Sequence, residues 1–539
     1  MIRFCAPFIA MIACLTGAMP GKETSAVAGE GASPFVGKPI YHTGSATAPP
    51  EITVHLAGSD LQLAGRNFAC ANCHGARGQG GQEAGVRVPP IDWSTLVSPS
   101  TMPSFVRQRG AYDFAALKRA ISNGVNAEGM PLGVGMPRYQ MSNHQSDGLI
   151  AYLRIIGTSE DSDPGIGQDF VTVGAVLPLT GSMAEMGTTV AAKLRAVFEG
   201  VNALGGIYRR RILLTIEDSR SDPAAALGAT RRLVEGEVFA LVASFQPPDN
   251  PALDALIALA GIPSIGPLAQ APREPERHNA NVWYLLPTFA DQARVLVDYI
   301  NSASRGHDAK SPLRVAIVYA DSPDASDAVG GAKTRLAMHQ ATITSDLNYE
   351  GGAFSPAETA RLVMNGNPEW ILFFGSAVAL KQFSETFAAS PALLPAIGAL
   401  TMLSPMPPDF SRVINVDMIF ASPVGWTKKA NMIELEAIAQ PSGPISGNSA
   451  FQVIAVAAAK TLVEAMSRAG RKLNRISLAA ELNQLHGFDT GVLPPLNFAS
   501  NNHVGIEDSA IFRFDRKQEQ YVPVTSWQPP LDSHERGIK

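Results

Sequence analysis

Two thiols and an imidazole stand together at Cys70-Ala71-Asn72-Cys73-His74. Thiols three residues apart on one turn can each add to one vinyl group of the same porphyrin. A histidine directly after the second thiol is then placed under the iron as its axial ligand. A redox dithiol shares the Cys-x-x-Cys spacing, but the following His74 and the export signal described below count against it. Gly75, Gly78, Gly80 and Gly81 suit a loop that wraps closely around a haem edge. The chain has four cysteines, and the other two, Cys5 and Cys14, lie in the apolar N-terminus. The mature chain therefore has no disulfide framework.

The reading is one covalently attached haem c, whose iron needs a second axial ligand from downstream. A thioether suits a low-spin electron-transfer haem. Met102, Met130, Met136 and Met141 are available. Met136 is favoured: Met136-Pro137 opens a loop that leads through a polar cap, Ser142, into an amphipathic helix over Asp147–Ile156. Leu149, Ile150, Leu153 and Ile156 form that helix's apolar face. Met130 and Met141 read as core filler.

Residues 35–157 resemble class I cytochrome c, especially the small modules of periplasmic dehydrogenase systems. The resemblance rests on Gly37-Lys38-Pro39-Ile40-Tyr41, the Cys70–Gly80 loop, Pro89-Pro90-Ile91-Asp92-Trp93, a helix over Phe114–Asn123, Met136-Pro137 and Ala151-Tyr152-Leu153-Arg154. It implies a small all-α domain in which a proline carbonyl, from Pro89 or Pro90, holds the proximal histidine's other nitrogen. The chain departs from the family between Tyr41 and Cys70, where an insertion around Thr47–Asp60 is implied.

Composition and termini set the compartment. The chain has 539 residues, of which 46% are apolar and 17% charged, which reads as globular with more than one domain. Its net charge of −5 and lack of a long basic run give no reason to expect nucleic acid. Met1-Ile2-Arg3, the apolar stretch Phe4–Leu15 and small residues after it read as a signal peptide over 1–28, cut after Ala26-Val27-Ala28 or earlier at Thr16-Gly17-Ala18. The protein is expected in the periplasm. A lipid anchor on Cys14 is the less favoured alternative, since Met11 stands where lipoprotein signals usually have leucine. No later run of 18 or so uninterrupted apolar residues marks a membrane span.

A polar, turn-rich stretch over 158–167 reads as a linker. After it, strand and helix patterns alternate: Val171–Pro178, Met186–Leu204, Ile212–Glu217, Asp222–Glu235, Phe239–Ser244, Ala252–Ala260, Pro263–Ile265. The rhythm restarts at Arg314–Tyr319. It predicts two lobes with parallel sheets and a cleft between them. Residues 168–525, before a tail over 526–539, resemble the type I periplasmic solute-binding proteins of the leucine/isoleucine/valine-binding class. Val173–Gly181, Val201–Ile207, Glu217-Asp218, Gly487–Gly491 and Asn497–His503 carry that resemblance. The implied ligand contacts are Ser244, Gln246, Ala269, Gln270 and Ser376. The patch Ser244-Phe245-Gln246-Pro247-Pro248-Asp249 loses backbone donors to its prolines, so its grip on a carboxylate is altered. Asp321-Ser322-Pro323-Asp324 lacks the family's Tyr-Gly pair, and no acid for an ammonium stands near Gly398-Ala399-Leu400.

No zinc spacing, phosphate-binding loop or Gly-x-Ser-x-Gly elbow is present, so the chain reads as an electron-transfer and ligand-binding protein rather than a catalyst. Three functions compete. The first is an electron carrier for a redox partner such as a quinoprotein dehydrogenase, with the second domain for docking or small-molecule sensing. The second is the receptor of an ABC-type uptake system for an amino acid or small acid, handing it to a permease and carrying an accessory haem. The third is a redox or ligand sensor.

Overall fold

In the computed structural model the described residues are 32–59, 61–83, 85–99, 109–246, 250–272, 279–304, 311–387, 394–403, 416–425, 449–515 and 520–531. The signal-peptide reading, with Cys5 and Cys14, and also Met102, Pro247–Asp249 and the end of the tail lie outside them.

The first domain is built on two helices, α1 (Pro34–Thr43) and α5 (Asn143–Ile155). They start for local reasons. Ser33 accepts from Phe35 N with Pro34 at the first position of α1, and Ser142 and Gln145 form a reciprocal capping box for α5. The helices cross backbone to backbone at Gly37 and Gly148: a Cβ on Gly37 would lie 2.2 Å from Gly148 O. That close approach buries Ile40, Tyr41, Ile150 and Tyr152 completely. Between these helices come α2 (Cys70–His74), the hairpin β3 (Gly81–Glu83)–β4 (Val86–Val88), α3 (Trp93–Leu96) and α4 (Phe114–Asn123).

The inserted segment acquires a role here. It forms β1 (Thr53–His55), the central strand of an antiparallel sheet with β2 (Leu63–Ala64) and β5 (Arg138–Gln140). The helical cytochrome core thus carries two short sheets.

The second domain has the two lobes. In the first, β6 (Phe170–Leu177), β7 (Arg211–Asp218), β8 (Ala240–Val242), β9 (Ser264–Ile265) and β10 (Val282–Trp283) form a parallel sheet in the order β10-β9-β8-β6-β7. The intervening helices are α6 (Ala184–Ala203), α7 (Pro223–Glu235) and α8 (Pro251–Ala260). The second lobe is a seven-stranded sheet, parallel over the strands from Arg314 to Ser422 and closed by antiparallel strands Ala510–Asp515 and Gln520–Pro523. The near-continuous apolar strands Val171–Leu177 and Val315–Val318 are buried on both faces, as parallel sheets covered by helices require.

The chain crosses from lobe one to lobe two after Leu286, and the helix Ser449–Ala469 returns it to lobe one. That helix is long and apolar enough to cross a bilayer. Its stretch Ile454–Ala459 is fully buried in the lobe-one core, so its apolar surface is already spent. Met402 packs against the cores of both lobes, which are therefore in contact.

Candidate functional site

All three groups of the thiol motif come from the one short helix α2. Its backbone closes with Gly75 N donating to Ala71 O at 2.9 Å. His74 is buried, and its Nδ1 lies 2.9 Å from Pro89 O. Of the two prolines offered by the sequence, Pro89 supplies the carbonyl. The carbonyl orients the ring with Nδ1–H donating, which leaves Nε2 available to a ligand; Nε2 makes no hydrogen bond among the described residues. Burial lowers the His74 pKa, opposed by the Pro89 carbonyl, so the ring is neutral, as an iron ligand must be.

The loop that brings Pro89 to His74 depends on glycine. Gly80 N donates to His74 O at 2.8 Å, with φ +73°, and a Cβ there would lie 2.6 Å from Val88 O and 2.8 Å from the Pro89 carbonyl carbon. Gly80→Ala should therefore push Pro89 away from the imidazole and cost about 2 kcal/mol of stability. A less basic imidazole favours ferric iron less, so the reduction potential should rise. Denaturant and redox titrations of the two proteins would check both effects. An unchanged potential would mean that the Pro89 contact does not tune His74.

Cys70 is half-buried, and burial pushes its thiol up to about 11. Redox dithiols work through a lowered thiol pKa, so this environment opposes that reading of the motif. Cys70 and Cys73 form no disulfide.

Two residues that the sequence reading missed place the Met136 segment. Tyr139, in β5, donates from its hydroxyl to Phe68 O at 2.6 Å, and that hydroxyl lies 4.0 Å from Cys70 Sγ. The strand just after Met136 is thus tied to the chain just before the thiol motif. The buried Arg138 guanidinium donates to Met136 O and packs on Gly124. The Met136 side chain is half-buried against the cluster that includes Ile40, Leu149, Tyr139 and Cys70, and Met141 packs there too. Met130 is 51% exposed. A three-residue strand with a lone buried arginine, Arg138-Tyr139-Gln140, carries too little sequence signal to be found. The donor set of two thiols, an oriented neutral imidazole and a nearby thioether fits a covalent haem. Among the described residues no other cluster of His, Cys, Asp or Glu could hold a metal ion.

Ser244, Ala269, Gln270 and Ser376 follow the C-terminal ends of strands Ala240–Val242, Ser264–Ile265 and Trp370–Phe374, where ligands usually bind in α/β sheets. Ser244 Oγ accepts from Val176 N at 3.1 Å, and Gln246 Nε2 donates to Asp254 Oδ1 at 3.1 Å. Both are buried and committed to contacts within lobe one. Ser376 Oγ accepts from Ala379 N and caps its helix. Ala269 and Gln270 are half-buried, and Gln270 Nε2 is buried without a hydrogen-bond partner among the described residues. Of the five, Gln270 therefore has an uncommitted polar atom. A separate groove of about 410 Å³, lined by Phe35, Ile155, Pro164 and Glu237 among others, runs along the seam between the cytochrome domain and lobe one rather than between the lobes.

The family model described as periplasmic binding protein matches residues 171–519, more than half of the chain. The chain belongs to the periplasmic binding protein family. A second model, cytochrome c, matches residues 62–156, so this binding protein carries a cytochrome c domain, which implies covalently bound haem. Among curated proteins it is similar to Leu/Ile/Val-binding protein homolog 7 of Brucella abortus, with 28% identity over 180 residues, 33% of this chain and 43% of that relative. It is also similar to Leu/Ile/Val-binding protein homolog 3 of Brucella melitensis, with 25% identity over 130 residues, 24% of this chain and 35% of the relative. The chain thus spans less than half the length of these curated relatives.

Among solved structures, a fatty acid ABC transporter substrate-binding protein from Thermomonospora curvata superposes with a TM-score of 0.56 at 17% identity, covering 68% of this chain and 94% of that one. A branched chain amino acid ABC transporter structure from Thermus thermophilus with bound valine has a TM-score of 0.56 at 16% identity, covering 67% and 97%. At these identities the likeness shows the fold of the binding domain.

Proposed function

We propose that the chain is a periplasmic mono-haem c-type cytochrome that carries electrons, with its binding-protein domain serving docking or small-molecule sensing. The observation that carries this reading is the buried His74 imidazole, oriented by Pro89 O beside two thiols on the same helical turn. Haem, once bound, supplies a reversible one-electron couple. The protein's own residues do the rest: Cys70 and Cys73 tether it, His74 and Met136 ligate it, Pro89 and Arg138 hold those ligands in place, and the apolar cluster excludes water. The redox partner of this reading is a dehydrogenase, a quinoprotein among the candidates. Export rests on the N-terminal signal pattern, with cleavage preferred over lipidation of Cys14.

The second reading is the substrate-binding component of an ABC-type uptake system with an accessory haem domain. It is favoured by the binding fold, which covers 94–97% of the length of transporter substrate-binding structures. The inward commitment of Ser244 and Gln246 opposes an amino-acid carboxylate grip of the usual kind. Gln270 would then be the first side chain to examine for a ligand amide or carboxylate.

A redox titration of the haem-loaded protein, with and without alcohols, amino acids and small acids, separates the readings. One reversible haem indifferent to every compound supports the carrier, whereas micromolar amino-acid binding supports the receptor. In the same assay Met136→Ala should lose the thioether-to-iron charge-transfer band and titrate at a lower potential. An unchanged spectrum would move the ligand to Met141, which packs in the same core.

A further inference from the structure

The segment between the domains is not built like a flexible tether. Lys38, on α1 of the cytochrome domain, places its ammonium 3.0 Å from Asp161 Oδ1 and 2.9 Å from Asp163 Oδ1, and donates to Asp161 O at 2.6 Å. The second carboxylate oxygen of Asp163 accepts from the backbone N–H of Arg475 in lobe one. The Arg475 guanidinium spreads over three lobe-one carbonyls: Val238 O at 2.8 Å, Phe239 O at 3.0 Å and Ala260 O at 3.0 Å. Lys38 is 8% exposed and Asp163 4%. The cluster balances two cations against two carboxylates, and its members come from three parts of the chain.

The backbone fits just as tightly. Gly165 has φ +79°, and a Cβ on it would lie 2.3 Å from Phe239 N. A second contact is independent of charge. Thr47, in the inserted segment, donates from its hydroxyl to Ala258 O at 2.9 Å, and its carbonyl accepts from Asn281 Nδ2 at 3.3 Å. The C-terminal carbonyls of α8 are thus gripped by Thr47 and by Arg475. The same helix carries Asp254, which holds Gln246 beyond the end of β8.

We propose that the cytochrome domain and lobe one form a single rigid body, clamped by the Lys38–Asp161–Asp163–Arg475 cluster and by Thr47, so that the haem travels with lobe one and lobe two is the moving part. A flexible linker has few buried contacts and exchanges its amides freely, whereas a clamp buries its charges and resists opening. Removing one member of a buried ion cluster leaves an unpaired charge inside and is strongly disruptive.

The test uses the full-length, haem-loaded protein. Hydrogen exchange over residues 158–167 should be slow, and denaturant should melt the haem absorbance and the protection of residues 238–242 at the same midpoint. Lys38→Met should speed exchange over 158–167 at least tenfold, open that stretch to protease and separate the two midpoints. Thr47→Ala leaves no buried charge and serves if Lys38→Met fails to fold. It should raise exchange at residues 44–50 and 258–261 while the haem spectrum stays unchanged. Free-peptide exchange over 158–167 in the unaltered protein would overturn the proposal. So would separate midpoints in that protein, or variants that fold and change neither exchange nor midpoints.

Discussion

Replacing both Cys70 and Cys73 with alanine should give an exported protein with no covalently bound haem. The loss should be complete: no haem stain after denaturing electrophoresis, and a mass lower by one haem beyond the two sulfur substitutions. Each single variant should keep one thioether. The expectation rests on α2, where one helical turn presents both thiols and the oriented His74 to the same porphyrin. The redox-dithiol reading predicts the opposite pattern, with no haem in the unaltered protein and two titratable thiols. The environment disfavours it, since burial pushes the Cys70 thiol up to about 11, where little thiolate exists at neutral pH. Haem staining of the unaltered protein alone would decide between them. A mass showing more than one haem would overturn the single-haem reading, because the described chain has no second Cys-x-x-Cys-His.

The second large effect is expected at the crossing of α1 and α5. A Cβ on Gly37 would lie 2.2 Å from Gly148 O, 2.4 Å from its carbonyl carbon and 2.5 Å from Leu149 Cα. All three obstacles are backbone, so no side-chain rotation relieves them. Gly37→Leu must pry the helices apart, which strips contacts from Ile40, Tyr41, Ile150 and Tyr152 together. Overpacking of this kind costs about 3 kcal/mol. It should also loosen the loop beneath the haem, because Tyr41 donates to Gly75 O at 2.6 Å. Urea unfolding followed by haem absorbance would show a large drop in midpoint. Gly133→Ala is the matched control: its Cβ would meet nothing within 4 Å and it should leave the midpoint unchanged. A Gly37→Leu midpoint equal to that of the control would mean the helices do not meet this closely.

What could be read from the sequence is what short stretches of chain decide by themselves. Two thiols and an imidazole within five residues carry the haem-attachment reading wherever that turn is placed. The alternation of apolar runs and amphipathic helices after residue 170 fixes a parallel α/β architecture, because a strand buried on both faces needs helices to cover it. Capping at Ser142 and the apolar face of α5 were equally local. Most of what required two distant segments to meet was out of reach. Pro89 rather than Pro90 reaches His74 only because Gly80 permits a left-handed turn against Val88. Tyr139 lies beside the thiols through pairing of β5 with β1, and the purpose of the inserted segment appears only in that sheet and in the grip of Thr47 on α8.

The pocket and the linker make the same point. Ser244 and Gln246 stand where a ligand grip was expected, yet tertiary packing turns them toward Val176 and Asp254. The stretch after Gly157 has the composition of a flexible connection, while its buried Asp163 is held by Lys38 from one domain and Arg475 from the other. Composition records which residues tolerate water. Whether a particular carboxylate meets water or a buried cation is decided by partners more than a hundred residues away, and only the folded chain brings them together.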